Sequence, residues 1–252
     1  QVTRQYIPAY ATDNPHLSDD YIIELEQKPP ALRRALLLGD WNVFDGQVFT
    51  EFVNDSNHYR DRLYTHVIEP FRIPEEWQRF RSMDWGYSRP FSVGYWAQDE
   101  EGRLYRYAEI YGSPKDVSTG RTLRPNVGMR LSPHEVARLI RQYEDRYEKG
   151  RHIIGIADPS IFDESRGSDG CIAAILERQG IYFSGGDNER IAGKMQLHHR
   201  LSFDERGVPM LYVFSNCHDF IRTLPALTYD PVYVEDINSQ GEDHIYDETR
   251  YM

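Results

Sequence analysis

The stretch Met83-Asp84-Trp85-Gly86-Tyr87-Ser88-Arg89-Pro90 decides how the rest of this sequence is interpreted. Asp84 closes a strand-like run that begins at Trp77, and the residues after it have the composition of a turn. Two more strand-like runs follow, Phe91 to Ala97 and Leu104 to Tyr111. The pattern predicts an antiparallel meander whose first strand ends in a carboxylate. Asp84 alone is also compatible with an ordinary turn residue, because aspartate is common there.

Helices and strands alternate after this meander and a long loop over residues 112–131. Ser132 and Glu135 have capping-box spacing and start a helix. The apolar run Ile153 to Ala157 suits a buried parallel strand, and Asp158 follows it. The remaining predicted elements are a helix over 169–178, a strand over 181–183, a helix over 190–201, a strand over 210–214, a helix over 217–224 and a helical turn over 242–252. The order predicts an α/β fold with a mixed sheet, an antiparallel meander followed by parallel strands, flanked by helices.

The first 70 residues have a different character from the rest. Apolar residues between 21 and 37 have helical spacing that Pro29-Pro30 interrupts. We therefore expect residues 1–70 to be a linker or appendage and residues 71–252 to form the main domain. The chain begins at Gln1, so we also expect it to be a piece of a longer protein.

Composition restricts the class of protein. The sequence has no long apolar run, which argues against a membrane span, and its two isolated cysteines argue against a disulfide framework or structural zinc. The net charge of -11 argues against a nucleic-acid partner, but the charge is uneven. Residues 115–151 carry 9 basic and 5 acidic residues, whereas residues 228–252 carry 1 basic and 7 acidic residues. An acidic metal site beside a basic phosphate-binding strip would explain this pattern, as would two ordinary solvated surfaces.

Carboxylates recur at positions where a metal site can form. Asp84 and Asp158 both end predicted strands, and a helical crossover would bring those ends to one edge of the sheet. Paired carboxylates there would repel each other unless a cation lies between them, and Mg²⁺ and Mn²⁺ prefer such oxygen ligands. Asp243 and Asp247 lie one turn apart if their segment is helical, with His244 beside them as a ligand or proton carrier. The alternative is a set of turn residues and a solvated acidic helix start.

Together these motifs resemble a known family. The segments 83–90, Ile156-Ala157-Asp158-Pro159-Ser160 and 243–251 are similar to the nuclease domain of the large terminase subunit of tailed bacteriophages. Leu38-Gly39-Asp40-Trp41, followed by Gly46-Gln47-Val48-Phe49, resembles the segment that joins the ATPase of that family to its nuclease. Each motif is short, and their common order is what makes the resemblance specific.

The resemblance implies a ribonuclease H-like fold and metal-dependent endonucleolytic cutting of concatemeric double-stranded viral DNA during genome packaging. It implies two-metal phosphodiester hydrolysis with little sequence specificity, using two Mg²⁺ or Mn²⁺ ions. Asp84 and Asp158 would be metal ligands, and Asp247, Asp243 or His244 would complete the site. Residues 1–70 would be the remnant of the ATPase side. The sequence has no Gly-x-x-x-x-Gly-Lys-Ser/Thr loop, so we expect no ATPase activity.

The same resemblance implies double-stranded DNA as the substrate, the portal protein and small terminase subunit as partners of the full-length protein, no membrane, and the host cytoplasm as location. Alternatives are another ribonuclease H-fold nuclease, such as a resolvase or transposase, and a non-catalytic DNA-binding or scaffold module. Candidate DNA contacts are Arg121, Arg124, Arg130 and Lys194, because cationic side chains suit phosphate. We interpret Glu109 as a solvated strand-end residue rather than a further ligand, and Asp163 as a polar loop residue.

Overall fold

The computed structural model describes residues 14, 16–17, 19–26, 46–164 and 170–252. The α-helices are α1 (Asp19–Glu26), α2 (Pro133–Tyr147), α3 (Ile172–Arg178), α4 (Arg190–Leu201), α5 (His218–Thr223) and α6 (His244–Thr249). The strands are β1 (Val67–Ile68), β2 (Gln78–Asp84), β3 (Ser92–Gln98), β4 (Leu104–Tyr111), β5 (Ile153–Ala157), β6 (Ser184–Gly185) and β7 (Leu211–Phe214). Short 3₁₀ helices cover Ser56–His58, Pro159–Phe162 and Leu224–Ala226. None of the helices in these ranges is long and apolar enough to cross a membrane.

The seven strands form one mixed sheet in the order β1-β7-β4-β3-β2-β5-β6. Strands β2, β3 and β4 pair antiparallel as a meander, and β5 pairs parallel with β2. Strand β7 runs parallel with both β4 and β1, and β6 runs parallel with β5. This arrangement confirms the predicted α/β mixed sheet, in which an antiparallel meander is followed by parallel strands. Strand β1, which precedes the meander, is an addition that the sequence pattern does not predict.

Strands β3, β4 and β7 in the middle of the sheet are largely buried. Six of the seven residues of β3 are buried, including Tyr95 and Trp96. Helix α2 starts with the predicted capping box, in which the Ser132 side chain accepts from the Glu135 N–H. Its buried residues are Val136, Ala137 and Ile140, and Leu139 and Tyr143 are partly buried against the same core. Burial of such faces is the main contribution to the stability of the domain.

The strand predicted over residues 181–183 starts three residues later and is shorter, covering Ser184–Gly185. The carbonyl oxygen of Tyr182 accepts a hydrogen bond of 2.8 Å from the Arg81 guanidinium. It also lies so close to Gly155 that a side chain there would overlap it. The Tyr182 carbonyl therefore bonds to the Arg81 guanidinium rather than to a neighbouring strand. Pairing with β5 starts only at Ser184. The helix expected from residue 169 begins at Ile172, and residues 165–169 lie outside the described ranges.

Residues 46–68 pack on the domain rather than apart from it. Val48, Phe49 and Phe52 are buried in the same core as the sheet, and β1 is an edge strand of that sheet. The boundary near residue 70 and the ATPase-side origin of the first residues stay predictions. The break at Pro29-Pro30 and the motif that begins at Leu38 lie outside the described residues.

Candidate metal and active site

The carboxyl ends of β2 and β5 bring two aspartates to one edge of the sheet. Met83 is the register partner of Ala157, and the Asp158 N–H donates a 3.0 Å hydrogen bond to the Met83 carbonyl. Asp84 and Asp158 are the next residues on each strand. The neighbouring strand ends predicted from the sequence are therefore present. Asp84 is buried, whereas the Asp158 carboxylate is half-buried and accepts a hydrogen bond of 2.7 Å from the Ser160 N–H.

The acidic motif near the end of the sequence forms a shorter helix than expected. Asp243 precedes α6 as its N-cap, and the Asp247 N–H donates to the Asp243 carbonyl at 2.8 Å. The two aspartates therefore lie one turn apart, as predicted. Ile245 and Tyr246 are buried and fix the helix against the core.

A buried ion pair connects α6 to the middle of the sheet. Glu248 and Arg106 both have fully buried side chains, and Arg106 Nη1 donates to the two Glu248 carboxylate oxygens at 2.8 and 3.0 Å. The carboxylate also accepts from the Ser92 hydroxyl at 2.9 Å and from the Trp96 indole at 3.2 Å, as well as from the Ser82 hydroxyl. A Cβ on Gly94 would overlap this pair, so glycine leaves the space that the pair occupies. Charge-assisted bonds of this kind hold α6, with its aspartates, at a defined position.

Sequence reasoning did not identify the role of Glu248 or Arg106. One pattern points to it: Arg106 lies in the middle of the strand Leu104–Tyr111, where a buried cation requires a partner.

The interpretation of Glu109 as a solvated residue is wrong. Glu109 is buried, and its carboxylate accepts from the backbone N–H groups of Asp219 and Phe220 at 2.7 and 3.2 Å. The Glu109 carboxylate therefore caps the N-terminus of α5. Burial raises the pKa of this carboxyl group.

His244 connects the acidic helix to Asp84. Its Nδ1 lies 3.3 Å from the Asp84 Oδ2, and its Nε2 lies 3.1 Å from the Asn126 Oδ1 on the loop 112–131. Burial lowers the pKa of the imidazole, which favours the neutral ring. The structure therefore brings His244 and Asp84 into direct contact.

Two arginines surround Asp247 and distinguish it from Asp243. Asp247 accepts from Arg190 Nη1 at 3.0 Å and from Arg250 Nε at 2.8 Å. Arg190 also contacts Asp236 at 3.1 Å, and its Nη2 is 3.8 Å from Asp243. Asp247 is therefore charge-compensated on two sides, whereas Asp243 has one distant guanidinium neighbour.

Asp84 and Asp158, at the two strand ends, have no lysine or arginine partner among the described residues. Burial raises the pKa of Asp84 well above its usual value, and the nearby Asp247, Asp158 and Glu248 carboxylates raise it further. Burial and Asp247 likewise raise the pKa of Asp243 to about 7. Such a cluster of oxygen donors fits a hard divalent cation, which would relieve the repulsion.

The described side chains do not already form a closed ligand shell. No group of three or more His, Cys, Asp or Glu side chains in these ranges is arranged to hold a metal ion. The ligand roles of Asp84, Asp158, Asp243 and Asp247 therefore stay predictions.

The candidate DNA-contacting residues fall into two groups. Arg121, Arg124 and Arg130 are exposed on the loop 112–131, where they are accessible to a phosphate backbone. The burial of Lys194 argues against the predicted DNA contact at this residue. Lys194 is buried, and its ammonium donates to the Glu235 carbonyl and lies 5.1 Å from the Tyr229 ring centre. This lysine lies on the inner face of α4, which the polar pattern of the helix did not indicate.

Comparison with known proteins gives matches at the level of structure. No protein-family model matches the sequence, and no curated protein sequence matches it. The large terminase of a thermophilic bacteriophage, in complex with ATP-gamma-S, matches with a TM-score of 0.59 and 20% identity, covering 96% of this chain and 53% of that chain. This chain thus spans about half the length of that protein.

Two separate nuclease domains also match. The nuclease domain of the P22 large terminase gives a TM-score of 0.56 and 13% identity, over 82% of this chain and 90% of that chain. The large terminase nuclease of thermophilic phage G20c with bound cobalt gives a TM-score of 0.50 and 11% identity, over 82% of this chain and 96% of that chain. At these identities the matches establish the fold. The chain therefore has the ribonuclease H-like fold of large terminase nuclease domains, as the sequence motifs predicted.

Proposed function

We propose that this chain is a metal-dependent endonuclease that cuts concatemeric double-stranded DNA during phage genome packaging. The observation that carries the proposal is the meeting of Asp84, Asp158 and the α6 aspartates at one sheet edge, where burial and mutual repulsion raise the pKa of Asp84. The shared fold with large terminase nuclease domains supports it. One of those domains was crystallised with cobalt, which supports a divalent cation at this site.

Asp84 and Asp158 would hold two Mg²⁺ or Mn²⁺ ions together with Asp243 or Asp247. When bound, the ions would activate a water molecule and stabilise the leaving oxygen of a phosphodiester. Asp84 would be the central ligand, since it interacts with both Asp158 and Asp247. Asp243 is the less compensated of the two α6 aspartates, and this favours it as the third ligand.

The remaining residues would position the groups that react. His244 contacts Asp84 and is placed to accept or carry a proton at Nδ1. Arg190 and Arg250 fix the orientation of Asp247, and Glu248 fixes α6 through Arg106. Exposed Arg121, Arg124 and Arg130 would contact the phosphate backbone without reading bases, which suits cutting with little sequence specificity.

The test is cleavage of supercoiled plasmid DNA by the 252-residue chain with Mn²⁺ or Mg²⁺. We expect nicking that EDTA abolishes and that Asp84→Ala and Asp158→Ala each abolish. Asp61→Asn provides a matched control, because Asp61 is a half-exposed carboxylate paired with His58 near the opposite edge strand β1. Efficient cleavage by Asp84→Ala would contradict the proposal.

The same assay separates the alternatives. Preference for branched DNA or strand transfer would indicate a resolvase or transposase. Absence of both cleavage and Asp158-dependent metal binding by calorimetry would indicate a non-catalytic module. The portal protein and small terminase subunit as partners of a longer protein, the host cytoplasm as location, and the lack of ATPase activity belong to the same proposal.

A further inference from the structure

The long loop after β4 contains a short hairpin over residues 115–122. Lys115 and Thr122 are antiparallel partners at its base. The Asp116 N–H donates to the Arg121 carbonyl at 2.9 Å, which closes the turn. The Arg121 side chain is exposed, so an ordered hairpin presents its guanidinium group at a defined place on the surface.

The buried Asp219, on α5, holds both arms of the hairpin at its base. Its side chain is 3% exposed, and its carboxylate accepts from the Lys115 ammonium at 2.6 Å and from the Thr122 hydroxyl at 2.7 Å. A third donor to this carboxylate is Arg222 Nη2, at 3.0 Å. The Asp219 N–H donates to the Glu109 carboxylate at 2.7 Å, which fixes Asp219 at the start of α5. One rigidly held carboxylate thus accepts one hydrogen bond from each arm of the hairpin.

The end of the same loop is held beside the acidic cluster by contacts of its own. The Gly128 N–H donates to the Ser88 carbonyl at 2.9 Å, and the Arg130 N–H donates to the Tyr87 carbonyl at 3.2 Å. These bonds hold the loop against the turn that follows Asp84. Arg130 is therefore placed through Tyr87, whereas the hairpin is placed through α5.

We propose that Asp219 is a positioning residue that orders the hairpin 115–122 and thereby presents Arg121 to the phosphate backbone of DNA. An arginine on an unordered loop loses conformational freedom when it binds, whereas a hairpin that is already ordered avoids that cost. The ordering of the hairpin by Asp219 is independent of whether the chain cleaves DNA. Its consequence for DNA binding rests on the proposed function.

Hydrogen exchange of the chain without metal or DNA tests the ordering of the hairpin. Thr122→Val removes one hydroxyl donor without changing the charge. The amides of residues 116–123 should then exchange about 10-fold faster, the effect of losing one hydrogen bond to a charged group. Thr223→Val is the matched control, because the Thr223 hydroxyl donates to the Asp219 backbone carbonyl, at 2.8 Å, rather than to the carboxylate. Unchanged exchange in Thr122→Val, or an equal increase in Thr223→Val, would overturn the inference.

Asp219→Asn separates positioning from a simple effect of charge. Removing a negative charge beside a DNA-binding surface should by itself tighten DNA binding. An amide makes weaker bonds to Lys115 and Thr122 than a carboxylate does, so positioning predicts weaker DNA binding. Fluorescence anisotropy of a labelled duplex in EDTA measures the Kd, which should rise in Asp219→Asn and rise about 10-fold in Thr122→Val. Unchanged or tighter binding in both variants would overturn the positioning role.

A double-mutant cycle tests whether Asp219 acts through Arg121. Thr122→Val should raise the Kd in an Arg130→Gln background as much as in the wild type, because Arg130 is placed by other contacts. The same change should have little effect in an Arg121→Gln background, where the contact that the hairpin presents is already absent. Equal effects of Thr122→Val in the two backgrounds would overturn the assignment to Arg121.

Plasmid cleavage with Mn²⁺ separates this inference from the proposed function. Thr122→Val should raise the KM for DNA with little change in kcat, because it affects binding rather than the reacting groups. A wild-type chain that binds the duplex through Arg121 but cuts no plasmid would refute the proposed nuclease function and leave the positioning role intact. A cleaving wild type whose Kd and KM are unaffected by Thr122→Val would refute the positioning role alone.

Discussion

Replacing Glu248 by glutamine should strongly destabilise the fold. The side chain would keep its shape but lose its charge. Among the described residues, the fully buried Arg106 cation would then have Glu109, at 3.4 Å, as its one remaining ionic partner. Removing one partner of a buried pair costs about 3–5 kcal/mol in the free energy of unfolding. For a domain of this size, that corresponds to a fall in Tm of about 6–20 °C.

Urea denaturation followed by tryptophan fluorescence would measure the loss. Glu69→Gln makes the same chemical change in an exposed pair, where Arg60 and Glu69 are 2.8 Å apart with side chains 86% and 54% exposed. That control should cost no more than about 1 kcal/mol. Combining Glu248→Met with Arg106→Met should restore part of the stability lost in the single variants, because the Arg106–Glu248 pair is then removed as a whole and Glu109 keeps its hydrogen bonds from the Asp219 and Phe220 N–H groups. A loss in Glu248→Gln no larger than in Glu69→Gln would refute the reasoning.

Three further predictions concern the acidic cluster and its support. Asp84→Asn should raise the Tm of the metal-free protein at pH 8 while abolishing cleavage, because it removes a buried charge among other carboxylates; a lower Tm would contradict this. Because Asp243 has a folded pKa of about 7, above its usual 3.8, the metal-free chain should lose the stability due to this group as pH rises from about 4 to about 7. In urea titrations across that range, Asp243→Asn should not show this fall in stability. Mn²⁺ binding to the wild type at pH 7 should release protons, which calorimetry detects as a heat of binding that depends on the buffer. Gly94→Ala should destabilise the fold because its Cβ would overlap the Glu248 carboxylate, whereas Gly185→Ala, with its nearest neighbour at 3.8 Å, should be tolerated in thermal melts.

The cluster separates into carboxylates with different partners. Asp247 and Glu248 already have guanidinium partners, whereas Asp84 and Asp158 have none among the described residues. This division indicates that the arginines hold the helix in place and that the strand-end aspartates are available to a bound cation. The variants above test the two roles separately, since one set changes stability and the other changes metal binding.

The sequence by itself determined the strand order of the meander and the place of Asp84 and Asp158. Strand-like and uniformly apolar runs, together with the capping box at Ser132, depend on interactions between residues that are close in the sequence. The crossover helix between the strands then restricted their ends to one sheet edge. These are properties of short segments and of chain connectivity, which is why they were predictable.

Only the tertiary structure decided how the site is held together. The Arg106–Glu248 pair joins residues 142 positions apart, and the Asn126–His244 contact joins residues 118 apart. The inward position of Lys194 and the start of β6 at Ser184 likewise depend on groups from other elements. Polar groups become buried only when distant segments pack, and their partners are chosen by the three-dimensional arrangement rather than by spacing along the chain.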